Sequence, residues 1–279
     1  MNFTFWLPIT MVFVMEKPLK VNSLEKAREQ KEALEDISTQ QREKNSLNFN
    51  DQNQVKDFLK KQERQEELMQ KFSKDLRDNL NKGNKDDKLT QLLQERLERQ
   101  ELEAKKNQKL LEELNKVADK INKEELSKRL EDLGKKQQNS ERSLEQLLEL
   151  TKRYYVTEKA AQLGKDLEKL SEEQKALSEE KIGDENSKEM QEGLKEDFDK
   201  IAEELDELQK DNAELKKPVD LKIDDNKKEG VKQDQQNALE QIEKQQNDGE
   251  SSQGEENKNS EAAAKKSQQS AAEKMKEMS

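Results

Sequence analysis

Side chains that could do chemistry are unevenly supplied in this sequence. It contains no His and no Cys, which excludes His-based triads, thiol nucleophiles and the usual zinc sites. Carboxylates are abundant, because Asp and Glu number 64 of 279 residues. A catalytic pair of carboxylates needs a desolvated pocket that separates the two pKa values, and thin solvated helices offer none. We therefore expect no enzymatic activity and no cofactor.

Three short stretches match ion- or phosphate-binding loops only in part. GESSQGE at 249–255 has the glycine spacing of a phosphate loop, but Glu255 stands where Lys is required and no strand precedes it. DENSKE and DDNKKEG lack the acidic ladder and central Gly of a calcium loop. We expect the first to be linker and the acidic clusters to bind divalent cations only weakly.

The composition favours long solvated helices. Only 29% of the residues are hydrophobic, against about 45–50% in ordinary globular domains, whereas 42% are charged and Pro occurs three times. The net charge of -11 argues against nucleic acid as the main partner, because acidic and basic residues alternate and no basic face forms. Without Cys there are no disulfides to indicate a redox compartment.

Residues 123–180 predict one long helix with a narrow apolar seam, restarting at the capping pair Asn122 and Glu125. A second helix, at 187–217, keeps strict four-three spacing until Pro218. We predict an all-α, elongated chain of antiparallel hairpins or coiled coil that contacts a helical partner or a second copy. The predicted helix–helix interface consists of Leu126, Leu130, Leu133, Leu144, Leu147, Leu163, Leu167, Leu170, Leu194, Phe198, Ile201, Leu205, Leu208 and Leu215.

Changes of pattern divide the chain into seven predicted segments. They are an apolar extended segment (1–22), a helix capped by Ser23 (23–45), a helical hairpin (51–121), the long helix (122–182), the heptad helix (187–217), a weak helix with a disordered polar linker (218–262) and an amphipathic helix that stops in mid-pattern (263–279). Residues 1–22 suit a short strand, with a signal peptide, a weak membrane anchor or a stray translation start as alternatives.

The hairpin at 51–121 follows from its punctuation. Gly83 is a helix stop and Asp86 or Asp87 a cap, so a short loop joins two helices that should lie antiparallel. Polar residues interrupt both seams and could fix the register. We favour a shallow, water-exposed interface that tolerates them. These residues are Gln62, Gln65, Gln100 and Asn107.

Two tyrosines mark a drift of the seam in the long helix. Tyr154 and Tyr155 are the only tyrosines, and aromatic side chains are frequent anchors of protein partners. The simpler expectation is that one packs in the seam and the other lies along the surface.

Residues 123–180 also resemble the middle of a family of large, uncharacterised bacterial proteins. Those proteins have membrane helices near the N-terminus, followed by long helical regions rich in Gln, Glu and Lys. The most specific part is LEQLLELTKRYYVTEKAAQLGKDLEKL, and the closing KKSQQSAAEKMKEMS is similar to the same family's downstream region. The resemblance implies an internal fragment of a membrane-tethered protein of the cell envelope, and it implies no catalytic or binding residues.

The resulting functional hypothesis is a non-enzymatic scaffold, spacer or tether that assembles through helices, itself soluble when separated from the membrane helices. The alternative is a peripheral membrane protein that uses the apolar residues 1–15 and the Met-rich C-terminal helix.

Overall fold

The computed structural model describes residues 28–40, 43, 49–82, 87–118, 122–183, 188–248 and 254–279. Within these residues the regular structure is helical and contains no β-strand, so the chain is all-α. The helices are α1 (28–40), α2 (Phe49–Lys82), α3 (Lys88–Val117), α4 (Lys123–Glu179), α5 (Lys188–Ala213), α6 (Asp225–Asp248) and α7 (Gly254–Met278).

The chain divides into two compact units, Met1–Tyr155 and Val156–Ser279. Helix α4 contributes residues 123–155 to unit 1 and residues 156–179 to unit 2. Each unit therefore holds parts of four described helices. The division falls at the two tyrosines, where the heptad pattern of α4 drifts. Both Tyr154 and Tyr155 are buried, so the expectation that one lies along the surface is wrong.

In unit 1 the contacts pair each helix with antiparallel neighbours. Asn81 meets Gln94 at 2.9 Å, Arg77 meets Glu101 at 2.9 Å, and Glu66 meets Asn107 at 3.0 Å. Because the residue number rises on α3 as it falls on α2, the two helices form the predicted antiparallel hairpin. Arg28 on α1 lies 3.4 Å from Glu141 on α4, and Leu34 lies beside Gly134. Helices α1 and α4 are therefore also antiparallel.

The interior of unit 1 is built from apolar side chains of all four helices. Leu34 from α1 packs with side chains of α2, α3 and α4, and complete burial of a leucine contributes about 1.5–3 kcal/mol. The cluster comprises Leu34, Val55, Phe58, Leu59, Leu111, Leu114, Leu126, Leu130 and Leu133. Gly134 lies beside it, where an added Cβ would stand 3.4 Å from Leu34 Cδ2, an ordinary van der Waals contact.

Unit 2 is an antiparallel arrangement of the second part of α4 with α5, α6 and α7. Lys188 pairs with Glu243 at 2.5 Å and Lys232 with Asp199 at 3.7 Å, which orients α5 against α6. Asp234 of α6 pairs with Lys274 of α7 at 2.6 Å. The Ser171 hydroxyl of α4 donates to the Ala272 carbonyl of α7 at 2.8 Å.

Two helix starts in unit 1 follow their predicted caps. The Asp87 carboxylate accepts hydrogen bonds from the backbone N–H groups of Leu89 and Thr90, both at 2.9 Å. Asn122 Oδ1 accepts from the Glu125 N–H at 2.8 Å. Each cap satisfies donors that the first helical turn leaves without intrahelical acceptors. Gly83, Asp86 and Ser23 lie outside the described residues, and α2 already includes Phe49, ahead of its predicted start at 51.

We expect Asp87→Ala to destabilise the chain by about 0.5–2 kcal/mol, because Leu89 and Thr90 lose their acceptor. Asp87→Asn keeps an acceptor at the same place and is the matched control. Urea unfolding followed by circular dichroism measures both. Equal losses in the two variants would show that the cap does not stabilise α3.

The C-terminal third is more helical than predicted. Helix α6 runs from Asp225 to Asp248 and buries Val231, Ala238 and Ile242, so packing stabilises a segment whose own pattern is weak. Helix α7 begins at Gly254, within the stretch predicted as linker, because its Glu and Lys residues are good helix formers.

Helix α5 ends earlier than the predicted residue 217. The Asn212 amide accepts from the Val219 N–H at 2.7 Å and donates to the Val219 carbonyl at 2.8 Å. This exchange with a residue beyond Pro218 holds the chain in a turn, so the helix stops at Ala213. Asn212 is therefore a turn residue, although its spacing fits the heptad seam.

Candidate functional site

The predicted interface residues lie in the interiors of the two units. Leu194 and Ile201 are half-buried. The other members are buried: Leu126, Leu130, Leu133, Leu144, Leu147, Leu163, Leu167, Leu170, Phe198, Leu205, Leu208 and Leu215. In unit 1, Leu126, Leu130 and Leu133 contact α1, α2 and α3 of the same chain. Contact with a second chain through these residues stays a prediction.

The most distinctive feature of unit 2 is a layer of four buried glutamines, one from each helix. Gln174 of α4, Gln191 of α5, Gln235 of α6 and Gln268 of α7 are all 0% exposed. We call them the glutamine layer. Apolar residues flank each one at helical spacing, for example Val231 and Ala238 around Gln235. The layer therefore interrupts a mainly apolar interior, in which Ser171 and Ser178 are also buried.

Hydrogen bonds join the four side chains of the glutamine layer into one network. Gln174 and Gln191 donate to each other's carbonyl oxygens at 2.9 and 3.0 Å. Gln235 donates to Gln174 at 3.2 Å and Gln268 donates to Gln191 at 2.9 Å. Burying an amide without a partner would cost about 1–3 kcal/mol, so the network removes most of that cost. It does so only when the four residues stand at one level, which favours a single register.

Sequence reasoning found only one member of this layer. Gln174 stands between Leu170 and Leu177 at the seam spacing of α4, but the sequence pattern did not indicate burial of Gln191, Gln235 or Gln268. On α7, Gln268 is buried, whereas the neighbouring Ser267 is half-buried. The spacing of Ala264, Gln268, Ala271 and Met275 indicates the buried face of α7. This spacing is hard to recognise in the sequence because Gln268 is polar.

Unit 1 contains a second polar level, which lines a small, partly open cavity of about 40 Å³. Glutamines from all four helices line it, together with acidic side chains and Met69. They are Gln30 of α1, Gln62 and Gln65 of α2, Gln100 of α3 and Gln137 of α4. Gln62 and Gln100 are 4% and 2% exposed. The expectation of a shallow, water-exposed seam at these positions is therefore wrong.

The polar cavity differs from the glutamine layer in its hydrogen bonding. Gln100 Oε1 accepts from the Ser143 hydroxyl at 3.2 Å. Among the described residues, however, Gln62 Nε2, Gln65 Oε1 and both side-chain polar atoms of Gln137 are buried without a protein partner. Two kinds of group thus need partners here, amide N–H donors and carbonyl acceptors.

Glu66 also lines the cavity, and its carboxyl is less acidic than that of an ordinary glutamate. The pKa of its carboxyl is raised to about 7, chiefly by burial; the hydrogen bond from Asn107 lowers this pKa in part, and the negative charge of Glu103 adds to the increase. Glu101, by contrast, accepts from Lys105 at 2.7 Å and lies 2.9 Å from Arg77. The Lys105 hydrogen bond and the Arg77 charge hold the pKa of Glu101 below its ordinary value.

The described residues contain no cluster of three or more acidic side chains arranged to hold a metal ion. Of the partial phosphate-loop stretch, Gly254 and Glu255 form the first turn of α7, and 249–253 lie outside the described residues. None of the described helices combines the length and apolar character needed to cross a membrane. The apolar segment 1–22 also lies outside the described residues.

No family model, no curated protein and no solved structure matches this chain.

The Met-rich end of α7, predicted as a membrane contact in the alternative hypothesis, packs within unit 2. Met275 is 0% exposed and Ala264 and Ala271 are buried beside it on the same face. The largest exposed apolar side chains lie elsewhere among the described residues, at Leu68, Leu92, Leu102 and Met190.

Proposed function

We propose that this chain is a non-enzymatic scaffold region that aligns helices, its own and those of a protein partner or a second copy. The observation that supports this proposal best is the glutamine layer. Polar residues at buried helix contacts lower stability yet can specify register, and here four helices each supply one. Such a device suits a protein whose task is to hold helices in a fixed alignment.

Helices α2 and α3 each carry an exposed leucine that a further helix could contact. Leu68 on α2 is 66% exposed and Leu102 on α3 is 51% exposed. Around them the outer faces carry charges, as in the ion pair of Arg99 with Glu95. We take these leucines as positions at which the apolar face of a further amphipathic helix would pack.

The wider setting of the proposal rests only on the family resemblance described above. That resemblance implies that the chain is part of a larger, membrane-anchored bacterial protein of the cell envelope. In that setting the two units would act as a spacer or tether.

Association can be tested on the complete chain by light scattering after size exclusion and by photo-crosslinking in a bacterial host. A photoreactive residue at position 68 or 102 should give crosslinks to a protein partner or to a second copy, whereas one at the exposed Glu98 should give fewer. A single-chain mass at every concentration, together with no crosslinked protein from either leucine position, would refute assembly through this surface.

A further inference from the structure

The polar cavity of unit 1 requires an occupant that both donates and accepts hydrogen bonds. Gln62 Nε2 needs an acceptor, Gln65 Oε1 needs a donor, and Gln137 needs both. A bare cation would serve only the oxygens, and an anion only the amide N–H groups. Water serves both, and buried polar groups that lack protein partners are ordinarily bridged by it.

The size of the cavity agrees with that chemistry. Its volume of about 40 Å³ leaves room for one or two water molecules, each of which occupies about 30 Å³ in the liquid. A metabolite-sized ligand needs roughly 300 Å³ or more. The cavity is therefore suited to water and too small for an organic ligand.

We propose that this cavity is a proton-linked hydration site, in which water bridges the glutamine amides to the Glu66 carboxyl group and the site can take up one proton. The proton binds at Glu66, and no bond other than this O–H bond forms or breaks. The inference does not rest on the scaffold function proposed above.

The charges that surround Glu66 support uptake of a proton. Helix α3 presents Glu103, a like charge, and Asn107, which donates to Glu66 Oε1 at 3.0 Å. Helix α4 presents Glu141 at the same cavity, and Arg28 of α1 lies 3.4 Å from that second carboxylate. Arg28 is thus engaged by Glu141, and burial disfavours the negative charge on Glu66.

The direction of the pH effect follows from the acidity of Glu66. Its pKa is about 7 in the folded chain against the ordinary 4.5, so the folded state binds more protons than the unfolded state between these values. The contribution of Glu66 to stability is therefore complete below about pH 4.5 and is lost as the pH rises through about 7. This is the opposite of the usual behaviour of a salt-bridged carboxylate.

Glu66→Gln, which keeps the shape of the protonated side chain, tests the proposal in the complete chain. At pH 8 the variant should unfold with an equilibrium constant on the order of 100-fold smaller than the wild type, and at pH 5 the two should be nearly equal. Hydrogen exchange should place the gain in α2 and in residues 123–155, with unit 2 unchanged. Glu67→Gln, at an exposed neighbouring position, should show no such pH-dependent difference.

A second variant tests whether water occupies the cavity. Gln137→Leu should displace the water and raise the pH at which Glu66 titrates. This titration is followed by the carbon resonance of the side-chain carboxyl, which is assigned by its absence in Glu66→Gln. The proposal fails if Glu66 titrates near its ordinary value, or if Gln137→Leu leaves the titration unchanged. It also fails if stability at pH 8 depends on which monovalent cation is present at constant ionic strength, because a cation would then occupy the cavity.

Discussion

Replacing Leu97 by alanine is expected to destabilise unit 1 by about 2–5 kcal/mol. Leu97 is 0% exposed on α3, so the shorter side chain leaves a cavity that the surrounding helices fill only in part. Urea unfolding of the complete chain, followed by circular dichroism and by hydrogen exchange of α3, measures the loss.

Leu102→Ala is the matched control on the same helix. Leu102 is 51% exposed, and both replacements change a leucine to alanine, so the difference in helix propensity is the same. We expect Leu102→Ala to change stability by no more than about 0.5 kcal/mol. Similar losses for the two variants would contradict the burial of Leu97.

Gln191→Leu is expected to destabilise unit 2 by about 2–5 kcal/mol, although it adds apolar surface to a buried position. Gln191 accepts from both Gln174 and Gln268, and the replacement leaves these amide donors buried without that acceptor. Gln269→Leu, one residue beyond Gln268 and exposed, should change stability by less than about 0.5 kcal/mol.

Replacing the whole glutamine layer by leucine should cost far less than four single losses. Removing every partner together leaves no unsatisfied amide of the layer, and apolar replacements of buried polar networks are often neutral or stabilising. If the layer specifies register, the stable quadruple variant should show multiple conformations by nuclear magnetic resonance. A quadruple variant that keeps one sharp set of signals would contradict a role in alignment.

Much of the fold could be predicted because periodicity reports burial. The spacing of Leu126, Leu130 and Leu133 predicts a buried stripe, and all three are buried. Spacing does not report what covers the stripe, and in unit 1 the cover is three other helices of the same chain. Short connections such as the one before Asp87 indicated one antiparallel pair only.

The buried polar residues could not be predicted in the same way. A glutamine at a helix contact gives the same sequence pattern whether water or protein surrounds its side chain. Gln62 and Gln191 are examples, because both are buried. Their environment depends on which side chains of other helices reach the same level, and that is a property of the assembled unit. For the same reason the raised pKa of Glu66 could not be predicted from the sequence, because it depends on burial by other helices.

The different environments of Met190 and Met275 give this molecule an unequal response to oxidants. Met190 is 50% exposed on α5, so peroxide can convert it to the sulfoxide at a place that water already reaches. Met275 on α7 is 0% exposed, so oxidants reach its sulfur only when that helix separates from its neighbours. A sulfoxide at Met275 would thus indicate that unit 2 had opened.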